Sequence, residues 1–430
     1  MQTQNKNRDV VGQTELLRQH PLRFLVIILV LAWITYCATG FRNPLTPILH
    51  LDTYEGALQR QLLFTSAALS ALSLMFLTRN IGSVFTMNRP MLLLSIIVPA
   101  SIIWSTDKPL TIKRTILFMF ALSTLYALVY SSPKPTYRML KLITGSVATI
   151  ALISLLIHFA FGQAYTVNPM RPGLAGTSSH PNTLAPIMSI ALICSLGIKA
   201  DTLIGIVTLR TAQALIGIAL LLAQSITTLA TTILAIGLFS LLMSSSYKRG
   251  AQQLLIITVF TIGSVIGWSN IKSAAFKATN RDESLSGRDE VWKIVLVEGF
   301  KTPIFGNGYG AFWTEGKGRK LVHTWNPRQS HNAYLDLWVD LGIVGLGALL
   351  YAIPWTLYAG WNRVKGCVGS KQRRAMAALY AFLLSYLLTY ALAQSYFMRF
   401  DTFPFMASVW AILVIANNDQ NQVQNEFNGT

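Results

Sequence analysis

Apolar runs separated by short polar connections organise the chain. They are Leu22–Ala38, Leu62–Leu77, Met91–Trp104, Thr115–Tyr130, Leu142–Phe161, Leu184–Ile198, Leu203–Ala223, Ile226–Met243, Leu254–Trp268, Ile343–Tyr358, Ala375–Leu392 and Phe403–Ala416. A helix needs about 20 apolar residues to cross a bilayer, because every backbone N–H and C=O must be satisfied internally there. Several runs are shorter, and flanking semi-polar residues and tilt make up the difference. The pattern predicts an all-α polytopic membrane protein of about twelve transmembrane helices. The break between Leu203–Ala223 and Ile226–Met243 is its least defined boundary. Arg210 lies inside the first of these, a costly place unless the side chain snorkels or pairs.

The connections alternate in charge. The arm before the first run carries Lys6, Arg8, Arg18 and Arg23, and every second connection after it is basic, ending with Arg363, Lys365, Lys371, Arg373 and Arg374. By the positive-inside bias both termini face the cytoplasm. The layout is then a cytoplasmic arm over residues 1–21, helices one to nine over 22–268, and a large outward loop with the start of helix ten over 269–342. Helices ten to twelve follow over 343–416, and a polar, disordered tail covers 417–430. The polar N-terminal stretch is too long for a cleavable signal, so the first helix is read as retained. The outward loop is the exception to the charge pattern. It holds about ten Lys and Arg, which the orientation rule tolerates in long loops but does not explain.

Composition agrees with lipid as the main solvent. The chain has 430 residues, 52% hydrophobic and 12% charged, with mean hydropathy +0.47. Soluble domains carry about 25% charged residues. The net charge of +18 would suggest nucleic acid in a soluble protein. Here it suggests orientation signals, membrane lipids or an anionic substrate, and no nucleic acid. Cys37, Cys194 and Cys367 form no disulfide or metal pattern.

Candidate chemistry collects in the outward connections. In Ser330-His331-Asn332-Ala333-Tyr334, Ser330 is read as an N-cap, which puts His331 and Asn332 in a first helical turn. The dipole there attracts anions and disfavours imidazolium, leaving His331 neutral and able to accept a proton. The bland alternative is an interfacial His that only caps a helix. Ser286-Gly287-Arg288 opens a short amphipathic helix with Val291, Trp292 and Val295 on its apolar side. Arg288 has the planar fork that suits phosphate oxygens, or is simply solvated. Thr302–Gly310 reads as a tight turn and a backbone nest for anions. Lys108, Lys113 and Arg114 follow Trp104–Asp107, Arg171 precedes Gly173, and Arg399 sits between the last two runs. Such groups from separate loops can converge on a diphosphate; lipid headgroup anchoring is the alternative. With no His/Cys cluster at metal spacing and no outward Asp-x-Asp, a metal-independent reaction without cofactor is expected.

These residues and their order resemble the bacterial O-antigen ligase family, a superfamily shared with O-antigen polymerases and protein O-oligosaccharyl ligases. The resemblance rests on Ser330-His331-Asn332-x-x-Leu335 continuing to Gly342-x-x-Gly345, and on Trp104-Ser105-x-Asp107 with Arg114. It also rests on Arg171-x-Gly173 with His180-Pro181-Asn182, and on Ser286-Gly287-Arg288 with Trp292, then Phe305-Gly306-x-Gly308. Where family members often place an Arg after a Ser, this chain has Gln224-Ser225-Ile226-Thr227. The resemblance implies a GT-C-like glycosyltransferase of the bacterial inner membrane with its active site facing the periplasm. The donor would be an undecaprenyl-diphosphate-linked glycan and the acceptor lipid A–core. His331 and Arg288 would be catalytic, with Arg171, Arg114, Arg399 and Lys113 on the diphosphate and Asn332, Ser330 and Tyr334 in support. An O-antigen polymerase is the nearest alternative. A lipid-linked glycan flippase is the non-enzymatic one, and it would need critical groups near mid-membrane, where only Arg210 stands.

Overall fold

The computed structural model describes residues 28, 65–73, 76, 89–130, 135–161, 173–178, 180–244, 288–314, 317–321, 327–367, 369–397, 399 and 402–416. The expected helices at Leu22–Ala38 (apart from residue 28) and Leu254–Trp268, part of Leu62–Leu77, the loop up to residue 287, Arg171, and the terminal arm and tail lie outside these residues.

Within them the protein is helical. The elements are α1 (Arg89–Ala100), α2 (Lys108–Tyr130), α3 (Pro135–Phe161), α4 (Pro181–Leu196), α5 (Leu203–Leu222), α6 (Ile226–Met243) and α7 (Arg288–Lys301). Then come α8 (Ala333–Gly366), α9 (Ser370–Ser385), a π-helical turn (Tyr386–Tyr390) and α10 (Ala391–Ala393), and the last element is α11 (Phe403–Ala416). Six spans among the described residues are long and apolar enough to cross a membrane, within α2, α3, α5, α6, α8 and the α9–α10 stretch. The chain is therefore read as a membrane protein. Its core is a bundle whose buried side chains include Phe118, Leu140, Met188, Phe382 and Trp410. Leu203, Ile204 and Val207 of α5 are exposed, as a lipid-facing surface requires.

The doubtful boundary is real. α5 and α6 are separate helices joined through Gln224, which holds a positive φ of 52°. Arg210 is not buried at mid-bundle. It lies on the exposed side of α5, about 10 Å along the helix from its start, and donates to Gln213 Oε1 at 2.9 Å. Arg210 thus has a polar partner on its own helix.

At one end of the bundle, arginines of α8 and α9 hold the C-termini of three other helices. Arg363 Nε donates to Ile415 O (3.2 Å) of α11, Arg373 to Leu242 O (2.9 Å) of α6, and Arg374 Nε to Leu196 O (2.6 Å) of α4. The last carbonyls of a helix have no partner within it and carry the negative end of its dipole. Part of the basic charge read as an orientation signal thus does structural work.

The opposite end carries a satellite built from α7 and the first turns of α8. Val291, Val295, Phe312 and Val339 are fully buried in a small core of their own, with Trp292 and Leu335 against it. The apolar side expected for α7 is the side that packs. α8 breaks at Gly342 (φ 63°, ψ −161°); before the break Leu335 and Val339 pack in the satellite while Ala333, Leu337 and Leu341 pack in the bundle core, and Ile343–Gly366 continues in the bundle. A Cβ at Gly342 would stand 2.2 Å from Ile304 O, so no other residue fits without displacing that backbone.

Candidate active site

Four sequence motifs interlock at this end. The break at Gly342 frees backbone groups of α8, and residues 302–312 take them up. Asn307 N donates to Val339 O (3.0 Å), Gly308 N to Asp340 O (2.8 Å), Ile343 N to Pro303 O (2.8 Å) and Val344 N to Ile304 O (3.2 Å). Asn307 Nδ2 adds a bond to Val339 O (2.6 Å). The Trp104–Asp107 motif then clasps the same loop. Trp104 Nε1 donates to Phe305 O (2.7 Å), Thr106 N to Asn307 O (2.9 Å) and Thr111 Oγ1 to Tyr309 O (3.2 Å). Asp107 caps α2 by accepting from Leu110 N (3.1 Å).

This overturns the anion-nest reading of Thr302–Gly310. Gly306 N donates to Thr302 O, Asn307 N and Gly308 N to α8 carbonyls, and Tyr309 N to Ser101 Oγ. Those donors are spent on protein and none is left to cradle a phosphate. The turn is a fastener, with Gly308 at φ 96°, where a Cβ would sit 2.5 Å from Ser105. Lys317 is committed too. Its ammonium bonds Asn307 Oδ1, and burial pulls it below the usual lysine range.

The cap of α8 is displaced by two residues from the expectation. Asn332 is the N-cap, accepting from Tyr334 N (3.0 Å) and Leu335 N (3.2 Å). Ser330 is buried ahead of the helix and its Oγ accepts from Asn332 N (3.1 Å). His331 therefore stands outside the first turn, with φ 58°. A non-glycine residue there is uncommon and costs about 1–3 kcal/mol. The neighbours hold it. Ser330 N donates to Asp336 Oδ1 (2.9 Å), Trp292 Nε1 to Ser330 O (2.9 Å), and the imidazole Nδ1 lies 3.4 Å from both Gln329 Nε2 and Gln394 Oε1. Tyr334 Oη donates to Leu387 O (2.7 Å) in the π-helical turn, tying the start of α8 to α9.

Beside this loop opens a cavity of about 420 Å³. Lys113 and Arg114 reach it from α2, Arg319 from the 3-10 turn Gly318–Leu321, Arg328 and Gln329 from the loop before α8, and Arg399 from the connection before α11. Asp336 and Asp340 of α8 line it with Tyr309, Trp313 and Phe397. Five cations face two carboxylates, a formal excess of three positive charges. Two of the cations are held by hydrogen bonds. Arg114 bonds Gly310 O, and Arg399 bonds Gln329 Oε1, the same amide that reaches His331. Such an excess in a partly enclosed space favours an anionic ligand with several oxygens.

Lys113, Arg114 and Arg399 thus share one cavity. His331 sits two residues beyond its rim at Gln329, and Ser330, Asn332 and Tyr334 shape the loop that carries it. Arg288 is half-buried at the start of α7, one turn before Trp292, and is not among the cavity's lining. Arg171 lies outside the described residues. Gly173, two residues on, lies at the α5–α6 turn, where a Cβ would meet Ala223 O at 2.6 Å. His180 is the N-cap of α4, its Nδ1 accepting from Asn182 N (3.0 Å). Sequence reading missed Arg319, Arg328, Asp336 and Asp340. The two carboxylates had a signal, since spacing of four puts them on one helix face. The arginines sit in irregular loops and had none. Among the described residues no group of three or more His, Cys, Asp or Glu is placed to hold a metal ion.

Residues 211–350, from α5 through the first half of α8, match the family model described as O-antigen ligase. This segment is O-antigen ligase-like. A relative from Rhizobium meliloti, the exopolysaccharide production protein ExoQ, is 25% identical over 242 residues, covering 51% of this chain and 54% of that protein. An uncharacterized protein of Haemophilus influenzae is 30% identical over 129 residues, covering 25% of this chain and 32% of its own length. The chain spans about half the length of the first relative and about a third of the second. The ligase-like segment contains His331, Arg288, Arg319, Arg328, Asp336 and Asp340. Lys113, Arg114 and Arg399 come to the cavity from outside it.

Proposed function

We propose that the protein is an O-antigen ligase that transfers a glycan from undecaprenyl diphosphate to lipid A–core on the periplasmic face of the inner membrane. The observation that carries this reading is the five-cation cavity beside the His331 loop, within and around a ligase-like segment. A diphosphate leaving group gains charge as the glycosidic bond breaks, and fixed guanidinium groups stabilise that charge without reorganising. A sugar hydroxyl is a weak nucleophile and gains from a positioned base. In this scheme His331 takes the acceptor proton, the acceptor oxygen attacks the anomeric carbon opposite the diphosphate, and the configuration inverts. Arg114, Arg399 and Lys113, with Arg319 and Arg328, hold the diphosphate. Arg288 and Arg171 add to that set. The reaction needs no metal or other cofactor. Twelve transmembrane helices with both termini in the cytoplasm complete the arrangement.

A polymerase using the same donor is the second reading, favoured by the ExoQ relative's name, an exopolysaccharide production protein. The two separate in one assay. Purified protein is given undecaprenyl-diphosphate glycan with either lipid A–core or excess donor as acceptor. Glycan on lipid A–core, with an inverted linkage by NMR, supports the ligase. Lengthening of the lipid-linked chain moves the assignment to polymerase, and a retained linkage excludes single displacement.

A further inference from the structure

We propose that Asp340, Trp313 and Phe397 form a sugar-ring subsite in the cation-lined cavity, so that the pocket recognises the first sugar of its ligand as well as the diphosphate. The inference rests on the diphosphate reading above and specifies what else the site binds.

The cavity has two unlike walls. Lys113, Arg114, Arg319, Arg328 and Arg399 come from α2 and from two connections, whereas Asp336, Asp340, Trp313 and Leu337 belong to the first turns of α8 and the turn against it. A site for a bare polyanion gains nothing from carboxylates in its lining, since each repels the ligand. Carboxylates there suit a ligand that also brings hydroxyl donors, which a charged acceptor binds strongly. The two acids have different duties. Asp336 Oδ1 is occupied twice, by Ser330 N (2.9 Å) and Trp313 Nε1 (2.8 Å). It fixes both the His331 loop and the indole. Asp340 receives Phe312 N at Oδ1 (3.3 Å, a long bond), has a backbone bond with Gly310 and lies near the Arg114 guanidinium, which leaves lone pairs on a carboxylate that can take about four bonds. Arg114 also donates to Gly310 O, so Asp340 is not its sole anchor. Trp313, anchored by its N–H, and Phe397 supply flat apolar surface for the C–H face of a pyranose.

The test is equilibrium binding to the purified full chain of two soluble probes, methyl diphosphate and a hexosyl methyl diphosphate. The parent protein is expected to bind the hexosyl probe about tenfold more tightly, the worth of one hydrogen bond to a charged group. Asp340→Asn is expected to abolish that difference while leaving methyl diphosphate binding equal or tighter. Trp313→Leu is expected to erase the difference as well, and Trp313→Phe to keep it. Methyl diphosphate binding reports that each variant is folded. Equal affinity of the parent for both probes overturns the subsite, as does a full sugar increment in Asp340→Asn or Trp313→Leu. Binding of neither probe by the parent overturns the diphosphate reading itself.

Discussion

Ser330, His331 and Asn332 do three separate jobs: a buried brace, the candidate base and the helix cap. Sequence alone located the triplet but assigned the cap to Ser330. Ser and Asn both cap helices, and the pattern of apolar positions carries no trace of the left-handed backbone at His331. The difference matters chemically, because outside the first turn His331 depends on Gln329, Gln394 and its braced backbone for position. Asn332→Ala is expected to cost about 1 kcal/mol in chemical unfolding. His331→Ala is expected to lower the transfer rate about 100-fold or more with little change in donor KM, since general-base catalysis contributes on that scale. Steady-state transfer assays check both parameters.

Among the described residues the helices were legible as elements, because continuous apolar runs leave few alternatives in lipid. Their ends were less so. α2 begins at Lys108, seven residues before its apolar run, since Asp107 caps a polar first turn. α8 is continuous in sequence pattern but broken in space at Gly342, where residues 302–308 dock on its backbone. The turn around Gly306 and Gly308 was read as an anion nest because glycine-rich segments look alike whether their N–H groups face a ligand or a neighbouring helix. Gly342→Ala is expected to lower thermal stability sharply, with at least about 1–3 kcal/mol from backbone strain alone, and to detach α7 as judged by proteolysis. An intact satellite in that variant would contradict the fastening role. At the other end, Arg374→Ala removes a bond to the C-terminus of α4 and a cation over Phe239. A loss of about 1–2 kcal/mol is expected in unfolding experiments, with donor KM unchanged.

Across the whole molecule, function depends on bringing distant segments together. Arg114 and Arg399 are separated by most of the chain, yet line one cavity with Arg319 and Arg328. Sequence analysis could propose that Lys113, Arg114 and Arg399 converge, since each lies in a connection on the same expected face. It could not single out Arg319 and Arg328 from about ten basic residues in one long loop, because only the docking of that loop on α2 and α8 selects them. If the cavity holds a diphosphate, Arg328→Gln is expected to raise donor KM about tenfold. The same substitution should flatten the salt dependence of transfer, as losing one screened contact requires. The most direct measurement is a cryo-EM structure of the protein with undecaprenyl-diphosphate glycan bound. The account predicts diphosphate density among Lys113, Arg114, Arg319, Arg328 and Arg399, with the anomeric carbon turned toward the His331 loop. Density for the diphosphate elsewhere, with this cavity holding only solvent, would contradict it.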